Sequence, residues 1–156
     1  MLSKWDHRFL RLAEYWAKEC SKDPSTQVGA ILAVDKQLIS MGFNGFPPSV
    51  PDKEEWLNDR DEKYPRMIHA EKNCLTFSER NDIVGATLYV APIPPCHACA
   101  LDIILARDKR GGPVRVVTLK SHFDHSRMGD SFKAAARDLR RSGITIEYAE
   151  EVDPYG

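Results

Sequence analysis

The chain of 156 residues is long enough to bury a substantial core and fits one domain spanning residues 1–156. Apolar residues make up 42% and charged residues 29%, and the formal net charge of −1 argues against a nucleic-acid or membrane partner. No apolar run approaches the roughly 18 residues of a membrane span, and the N-terminal MLSKWDHRFL lacks a signal-peptide core. We therefore expect a cytoplasmic protein whose four cysteines are thiols or metal ligands rather than disulfides.

The spacing of apolar residues predicts alternating helices and strands. A first helix is expected over residues 6–20, ended by Pro24, and a hairpin of two strands over residues 28–34 and 38–43. Downstream, strands are expected over residues 86–91, 114–119 and 144–148, and helices over residues 67–78, 96–107 and 131–141. This order predicts an α/β fold: a mixed five-stranded sheet with helices on both faces and its last three strands parallel.

Residues 52–63 are strongly charged, with Trp56 and Leu57 as the only large apolar side chains. We interpret them as a solvated insertion that contains at most a short surface helix. The alternative is a lid over a substrate.

Three residues form a candidate metal site. Cys96 and Cys99 lie one turn apart at a predicted helix start, where the positive end of the helix dipole favours thiolates and both sulfurs can face one ion. His69, at the start of the preceding helix, is the candidate third ligand. Three protein ligands with one open position are typical of catalytic zinc, whereas structural zinc is usually closed by four. The alternative is a structural thiol pair near an unrelated histidine.

Glu71 lies two residues after His69, so its carboxylate is well placed as a general acid and base beside a zinc-activated water. The combination of H-x-E with P-C-x-x-C is the signature of zinc nucleobase deaminases. Either half alone is a weak signal, but the two together, each at a predicted helix start, predict a catalytic centre.

Other histidines and cysteines compete less well as ligands. His97 points about 100° away from Cys96 around the helix, so we expect it to be a bystander. Cys20 and Cys74 occupy apolar helical positions and are expected to be core thiols. His122 and His125 follow a predicted strand; they are ordinary loop histidines unless they contact the substrate.

Over nearly its whole length the chain resembles the deoxycytidylate (dCMP) deaminase family of the cytidine deaminase superfamily. The matching segments, in family order, are SKDPSTQVGA at residues 21–30, GFNGFP at 42–47, KYP at 63–65, HAE at 69–71, GATLYV at 85–90 and PCHAC at 95–99. The first two carry the identification, because deaminases of bases, nucleosides, tRNA and DNA share the zinc motifs.

The resemblance implies a three-layer α/β/α cytidine deaminase-like fold, one Zn²⁺ per subunit and a homo-oligomer, either hexamer or dimer. It implies hydrolytic deamination of dCMP to dUMP in the supply of dTMP, extending to 5-substituted dCMP. In that chemistry Glu71 carries a proton from water to N3 of the cytosine and then assists the departing ammonia.

The resemblance also assigns the substrate contacts. Asn44 is expected to hydrogen-bond the sugar, and Ala70 and Pro95 to line the pocket for the base. The candidate phosphate ligands are Ser21, Lys22 and Thr26, for which a simple capping turn is the alternative.

A loop containing Gly42, Phe43 and Gly45 matches the segment associated with allosteric nucleotides, which implies a Mg²⁺-nucleotide effector, dCTP or dTTP. Phe43 stands where the family usually has tyrosine and so removes a hydroxyl from this loop. Some relatives hold a second, structural zinc through residues before H-x-E. Residues 52–66 contain neither histidine nor cysteine, so we predict one zinc per chain.

Two other functions share these motifs. A tRNA or single-stranded DNA deaminase would use the same zinc site but would favour a basic, aromatic surface for its polyanion. A non-enzymatic structural-zinc module would need a fourth protein ligand near His69 and would leave Glu71 dispensable.

Overall fold

The computed structural model describes residues 1–79, 82–120 and 128–152; the predictions made for His122 and His125 fall outside these residues. In chain order the described elements are α1 (Lys4–Cys20), β1 (Gly29–Val34), β2 (Gln37–Phe43), α2 (Glu54–Leu57), α3 (Arg60–Arg66), α4 (Ala70–Thr76), β3 (Thr87–Ala91), α5 (His97–Arg110), β4 (Arg115–Leu119), α6 (Gly129–Arg141) and β5 (Thr145–Ala149).

The five strands form one mixed sheet in the order β2-β1-β3-β4-β5. Strand β1 pairs antiparallel with both β2 and β3, whereas β3, β4 and β5 are parallel. The tight β1–β2 connection uses Asp35 and Lys36, which both have positive φ values of 48° and 66°, as a two-residue hairpin turn requires. The predicted mixed sheet and its three parallel strands are confirmed.

Helix α1 covers one face of the sheet. Its buried Phe9, Leu10 and Ala13 pack with Ile31 of β1 and Tyr89 of β3 in one apolar cluster. The capping box formed by Ser3 and Asp6 fixes the start of this helix.

Helices α4, α5 and α6 cover the opposite face. Cys74 of α4, Ile103 of α5 and Leu139 of α6 share a second cluster with Leu88 and Val116 of the sheet. The three-layer α/β/α architecture is therefore confirmed. Within the three described ranges, no helix is long and apolar enough to cross a membrane.

Two local differences from the predicted elements concern the region before α4. The helix expected from residue 67 begins only at Ala70, because Ile68 is extended and pairs with Gly45 in an isolated β-bridge. The expectation of a solvated insertion over residues 52–63 was wrong in one respect: Leu57 and Lys63 are buried, at 9% and 7% exposure.

Candidate active site

Two helix starts bring the three candidate metal ligands together. His69 is the N-cap residue of α4 and Cys96 that of α5, both with extended backbone conformations, and Cys99 lies within the first turn of α5. The side chains of these N-caps do not bond to their own helices. They are directed instead toward each other.

The distances among these side chains fit a single zinc ion. The Nδ1 atom of His69 lies 3.2 Å from Sγ of Cys99 and 3.5 Å from Sγ of Cys96, and all three ligand atoms lie within 4.8 Å of one another. Zn–N and Zn–S bonds of ordinary length at tetrahedral angles place nitrogen and sulfur about 3.6 Å apart. One imidazole and two sulfurs are also the ligand chemistry that zinc prefers.

The two sulfurs share a hydrogen bond that acts on them in opposite directions: it raises the pKa of the Cys99 thiol, as burial also does, and favours the thiolate at Cys96. A hydrogen bond from the Cys99 thiol lowers the pKa of the Cys96 thiol; burial opposes this, and a hydrogen bond with His69 adds to it. Cys96 and Cys99 are 8% and 2% exposed. A thiolate therefore forms readily at Cys96, and the thiolate is the form that binds metals.

Glu71 lies in the first turn of α4, and its side chain is buried, with 3% of the residue exposed. Burial raises the pKa of this carboxyl to about 7, while the charge of His69 acts in the opposite direction. The side chain hydrogen-bonds with Cys99 and lines the cavity next to the metal ligands. A buried carboxyl with a pKa near neutrality is suited to accept and return a proton.

A cavity of about 580 Å³ opens beside this centre, within the size range of small-molecule sites. Its wall is formed by Asp23, Ser25, Thr26, Val28, Asn44, Asn58, Arg60, Lys63, Tyr64, Met67, His69, Ala70, Glu71, Ile93, Pro94 and Met128. The catalytic candidates and a set of polar side chains from a loop and from α3 therefore share one space.

Three of the predicted substrate contacts lie on this wall: Thr26, Asn44 and Ala70. Pro94 lines the cavity, whereas the predicted Pro95 is buried without lining it. The side chain of Asn44 is bonded within the protein: its oxygen accepts from Ser21 and from the Val28 amide, and its nitrogen donates to the Thr26 carbonyl. Asn44 thus shapes the cavity wall, and its contact with a sugar stays a prediction.

The other two predicted phosphate ligands are placed elsewhere. Ser21 is buried, and its hydroxyl donates to the carbonyl and side-chain oxygens of Asn44. The ammonium of Lys22 lies 2.9 Å from Asp52 at the protein surface, outside the cavity. The role of Lys22 as a phosphate ligand stays a prediction that this placement does not support, because its charge is paired outside the cavity.

The motifs did not single out the cations that do line the cavity, Arg60 and Lys63. Lys63 is 3.0 Å from Asp23, and both side chains are buried. The match of KYP at residues 63–65 to the family pattern was the available signal. The charged character of residues 52–63 instead favoured a solvated segment.

The loop associated with effectors has structural roles in this chain. A Cβ atom added to Gly42 would lie 2.4 Å from the Ala70 carbonyl oxygen, so glycine lets β2 approach α4 closely. Phe43 packs edge-to-face on Trp16, and Gly45 pairs with Ile68. An effector site at these residues stays a prediction.

The competing histidine and cysteines also have their own surroundings. His97 lies apart from the metal ligands, with its Nε2 atom 2.6 Å from Asp138. Cys74 is fully buried in the core, where burial raises the pKa of its thiol to about 12. Cys20 is half-buried at the end of α1. The positions of His97 and Cys74 agree with the bystander and core-thiol interpretations, whereas Cys20 is not a core thiol.

Comparison with known proteins places these features in a family. The family described as "Cytidine and deoxycytidylate deaminase zinc-binding region" matches residues 3–111, more than half of the chain. An "uncharacterized deaminase in luxG 3'region" of Aliivibrio fischeri is 42% identical over 149 residues, covering 95% of each protein. The deoxycytidylate deaminase of Homo sapiens is 35% identical over 149 residues, which are 92% of this chain and 78% of that protein.

Among solved structures, the dCMP deaminase of the cyanophage S-TIM5, crystallised in complex with dCMP and dUMP, superimposes with a TM-score of 0.70. The sequence identity is 21%, and the match covers 96% of this chain and 99% of that one. This likeness establishes the shared fold.

Proposed function

Since this chain belongs to the cytidine and deoxycytidylate deaminase zinc-binding family, we propose that it is a zinc-dependent dCMP deaminase that hydrolyses dCMP to dUMP and ammonia. One observation carries the choice of a nucleotide: the cavity lined by His69 and Glu71 is also lined by Arg60, a cation with no ion-pair partner among the described carboxylates. A base alone would not need this cation.

His69, Cys96 and Cys99 would hold the zinc ion, because their donor atoms have the chemistry and the spacing of a three-ligand site. When bound, zinc supplies a water of lowered pKa, near 7, at the open coordination position. The exposed position of His69 beside the buried cysteines leaves the ion accessible from the cavity.

Glu71 moves the protons of the reaction. Its carboxylate accepts a proton from the attacking water and delivers it to N3 of the cytosine, and its position beside the metal ligands keeps both transfers short. The buried environment that raises its pKa makes return of the proton easier than for an exposed glutamate.

The overall reaction forms a C4–O bond and breaks the C4–N bond to the exocyclic amine. One water is consumed: Glu71 passes its first proton to N3 and its second, taken from the new hydroxyl on C4, to the amine, which leaves as ammonia while the ring becomes uracil. Ala70, Ile93 and Pro94 line the cavity beside Glu71 and exclude bulk water from the reacting edge of the base.

Two alternatives predict different outcomes. A structural-zinc module would need a fourth protein ligand, and in the described part of the chain the ligand group has three members. A polynucleotide deaminase would act on a tRNA or a single-stranded DNA rather than on the mononucleotide.

A substrate panel tests the proposal. The zinc-loaded protein is incubated with dCMP, 5-methyl-dCMP, dCTP, deoxycytidine, an RNA hairpin and a single-stranded oligonucleotide, and ammonia is measured. We expect rapid release from dCMP, and release from 5-methyl-dCMP extends the substrate range. Reaction of the polynucleotides alone would refute the proposal.

The variant Glu71→Gln separates catalysis from metal binding. We expect turnover of dCMP to fall by a factor of about 10² to 10⁴ or more, while zinc content and thermal stability stay close to wild type. Glu54→Gln, which changes an exposed carboxylate on α2, is the matched control. Retained activity in Glu71→Gln would exclude the mechanism, and loss of zinc would show a structural role.

Homo-oligomerisation, nucleotide effectors and a cytoplasmic location stay predictions for this chain. Sedimentation of the zinc-loaded protein with and without dCTP and Mg²⁺ tests the first two together.

A further inference from the structure

The polar part of the cavity contains two cations that have different interaction partners. Arg60 and Lys63 lie three residues apart on α3, so they share one side of the helix, and both line the cavity. Their partners differ, and that difference determines which of them is available to a ligand.

Lys63 is already neutralised inside the protein. Its ammonium lies 3.0 Å from Asp23 Oδ1 and 3.4 Å from the Ser25 hydroxyl, and the side chains of Lys63 and Asp23 are 8% and 6% exposed. The same oxygen of Asp23 accepts hydrogen bonds from the backbone amides of Ser25 and Thr26. The pair therefore joins α3 to the loop after α1 and adds no net charge to the cavity.

Arg60 has no such partner among the described residues. It is exposed, its guanidinium lies 5.5 Å from the centre of the Tyr64 ring, and no described carboxylate is within ion-pairing distance of it. Besides His69 and Glu71, the charged residues on the wall are Asp23, Arg60 and Lys63. One carboxylate and two cations leave a net charge of one positive unit. That charge belongs to Arg60.

We propose that Arg60 binds the 5′-phosphate of the substrate and that Lys63 is a positioning residue, which holds α3 against Asp23 so that Arg60 faces the cavity. This inference rests on the proposed function. A guanidinium offers paired N–H donors that match phosphate oxygens, and the side chains of Ser25, Thr26 and Asn58 on the same wall add neutral donors.

This arrangement makes Arg60 a determinant of specificity. It distinguishes a nucleotide from a nucleoside, because a substrate without phosphate leaves the guanidinium in contact with water at no cost. Loss of Arg60 therefore weakens nucleotide binding and leaves nucleoside binding unchanged.

The test compares Arg60→Gln with wild type and with Arg8→Gln. Arg8 is a matched control, since it is also an exposed arginine that stacks on an aromatic ring, Trp5, but it lies on α1 away from the cavity. Binding of dUMP and of deoxyuridine to the zinc-loaded full chain is measured by calorimetry, and ammonia release from dCMP is measured on the same preparations.

We expect Arg60→Gln to bind dUMP about tenfold more weakly or worse, with deoxyuridine affinity and thermal unfolding unchanged, and Arg8→Gln to behave as wild type. Unchanged dUMP affinity, or an equal loss for deoxyuridine, would overturn the assignment of Arg60. Failure of the proposed function looks different: wild type would release no ammonia from dCMP, whatever Arg60→Gln does to dUMP binding.

Discussion

The ammonium of Lys63 lies 3.0 Å from the carboxylate of Asp23 although the two residues are 40 positions apart, and both side chains are more than nine-tenths buried. A neighbouring pair, Lys22 with Asp52, has a similar distance of 2.9 Å but is exposed to solvent. Because the two ion pairs have similar distances but different exposure, comparing them shows how burial changes the contribution of an ion pair to stability.

Substitution of Lys63 by methionine is expected to destabilise the protein by about 3–5 kcal/mol, because it leaves the Asp23 carboxylate buried without its counter-charge. Lys22→Met should cost at most about 1 kcal/mol, since exposed ion pairs contribute little. Urea unfolding monitored by circular dichroism measures both. Equal losses in the two variants would show that burial of the Lys63 pair has no energetic consequence.

Metal content gives a second prediction. The zinc-loaded protein should contain one zinc per chain by elemental analysis, and Cys99→Ser should contain almost none, because a neutral hydroxyl replaces a thiolate ligand. Cys74→Ser, which changes a buried thiol outside the ligand group, should retain its zinc. Two ions per chain in wild type, or full occupancy in Cys99→Ser, would contradict the three-ligand site.

Gly42→Ala is expected to weaken both the fold and the metal site. The new methyl group would meet the backbone of Ala70 and Cys74 at 2.4 and 2.5 Å, so α4, which begins beside His69, must move away from β2. Overpacking of this kind costs about 1–3 kcal/mol. Gly45→Ala, whose methyl group would meet only the Phe43 ring at 3.4 Å, is the matched control.

Thermal unfolding and zinc retention after dialysis against a weak chelator measure these two variants. We expect a lower melting temperature and faster zinc loss for Gly42→Ala alone. Wild-type behaviour of Gly42→Ala would show that α4 tolerates the shift.

Acid stability depends on Asp6. Burial alone would raise the pKa of this carboxyl, but hydrogen bonds from Arg115, from the Ser3 amide and from the Tyr89 hydroxyl outweigh it and hold the pKa well below its ordinary value of 3.8. A lowered folded-state pKa stabilises the protein at pH values above the unfolded-state pKa, and this stabilisation is lost as the pH falls.

We therefore expect the free energy of unfolding to decrease between about pH 5 and pH 2, and Asp6→Asn to reduce that dependence while lowering stability at neutral pH. Asp35→Asn, at the exposed β1–β2 turn, should leave the acid dependence of wild type intact. An identical acid profile in Asp6→Asn and wild type would rule out Asp6 as its source.

The metal ligands could be predicted from sequence because each half of the site is local. Cys96 and Cys99 are one helical turn apart, and His69 stands at the next helix start upstream, so the order of elements alone brings them to one place. The hairpin and the parallel strands were also predictable from local signals, because the period of the apolar residues indicates which segments are strands and which are helices.

The cavity wall could not be predicted in this way. Lys63 and Asp23 have the composition of surface residues, and their burial arises only when α3 packs against a distant loop. Lys22 has the sequence context of a phosphate ligand, but its partner Asp52 lies outside the cavity. Ile68 continues the apolar pattern of a helix, yet pairing with Gly45 keeps it extended, because tertiary contacts override local preference.

The separation of His69 and Cys96 by 27 residues has a mechanical consequence. The intervening chain includes α4 and β3, and β3 is the middle strand of the sheet. An ion held by both residues would therefore close a loop, as a disulfide would. This loop connects the start of α4 with the start of α5 and contains the middle strand of the sheet. Release of the ion removes this restraint on the segment that contains β3, so loss of the metal is expected to lower the stability of the sheet.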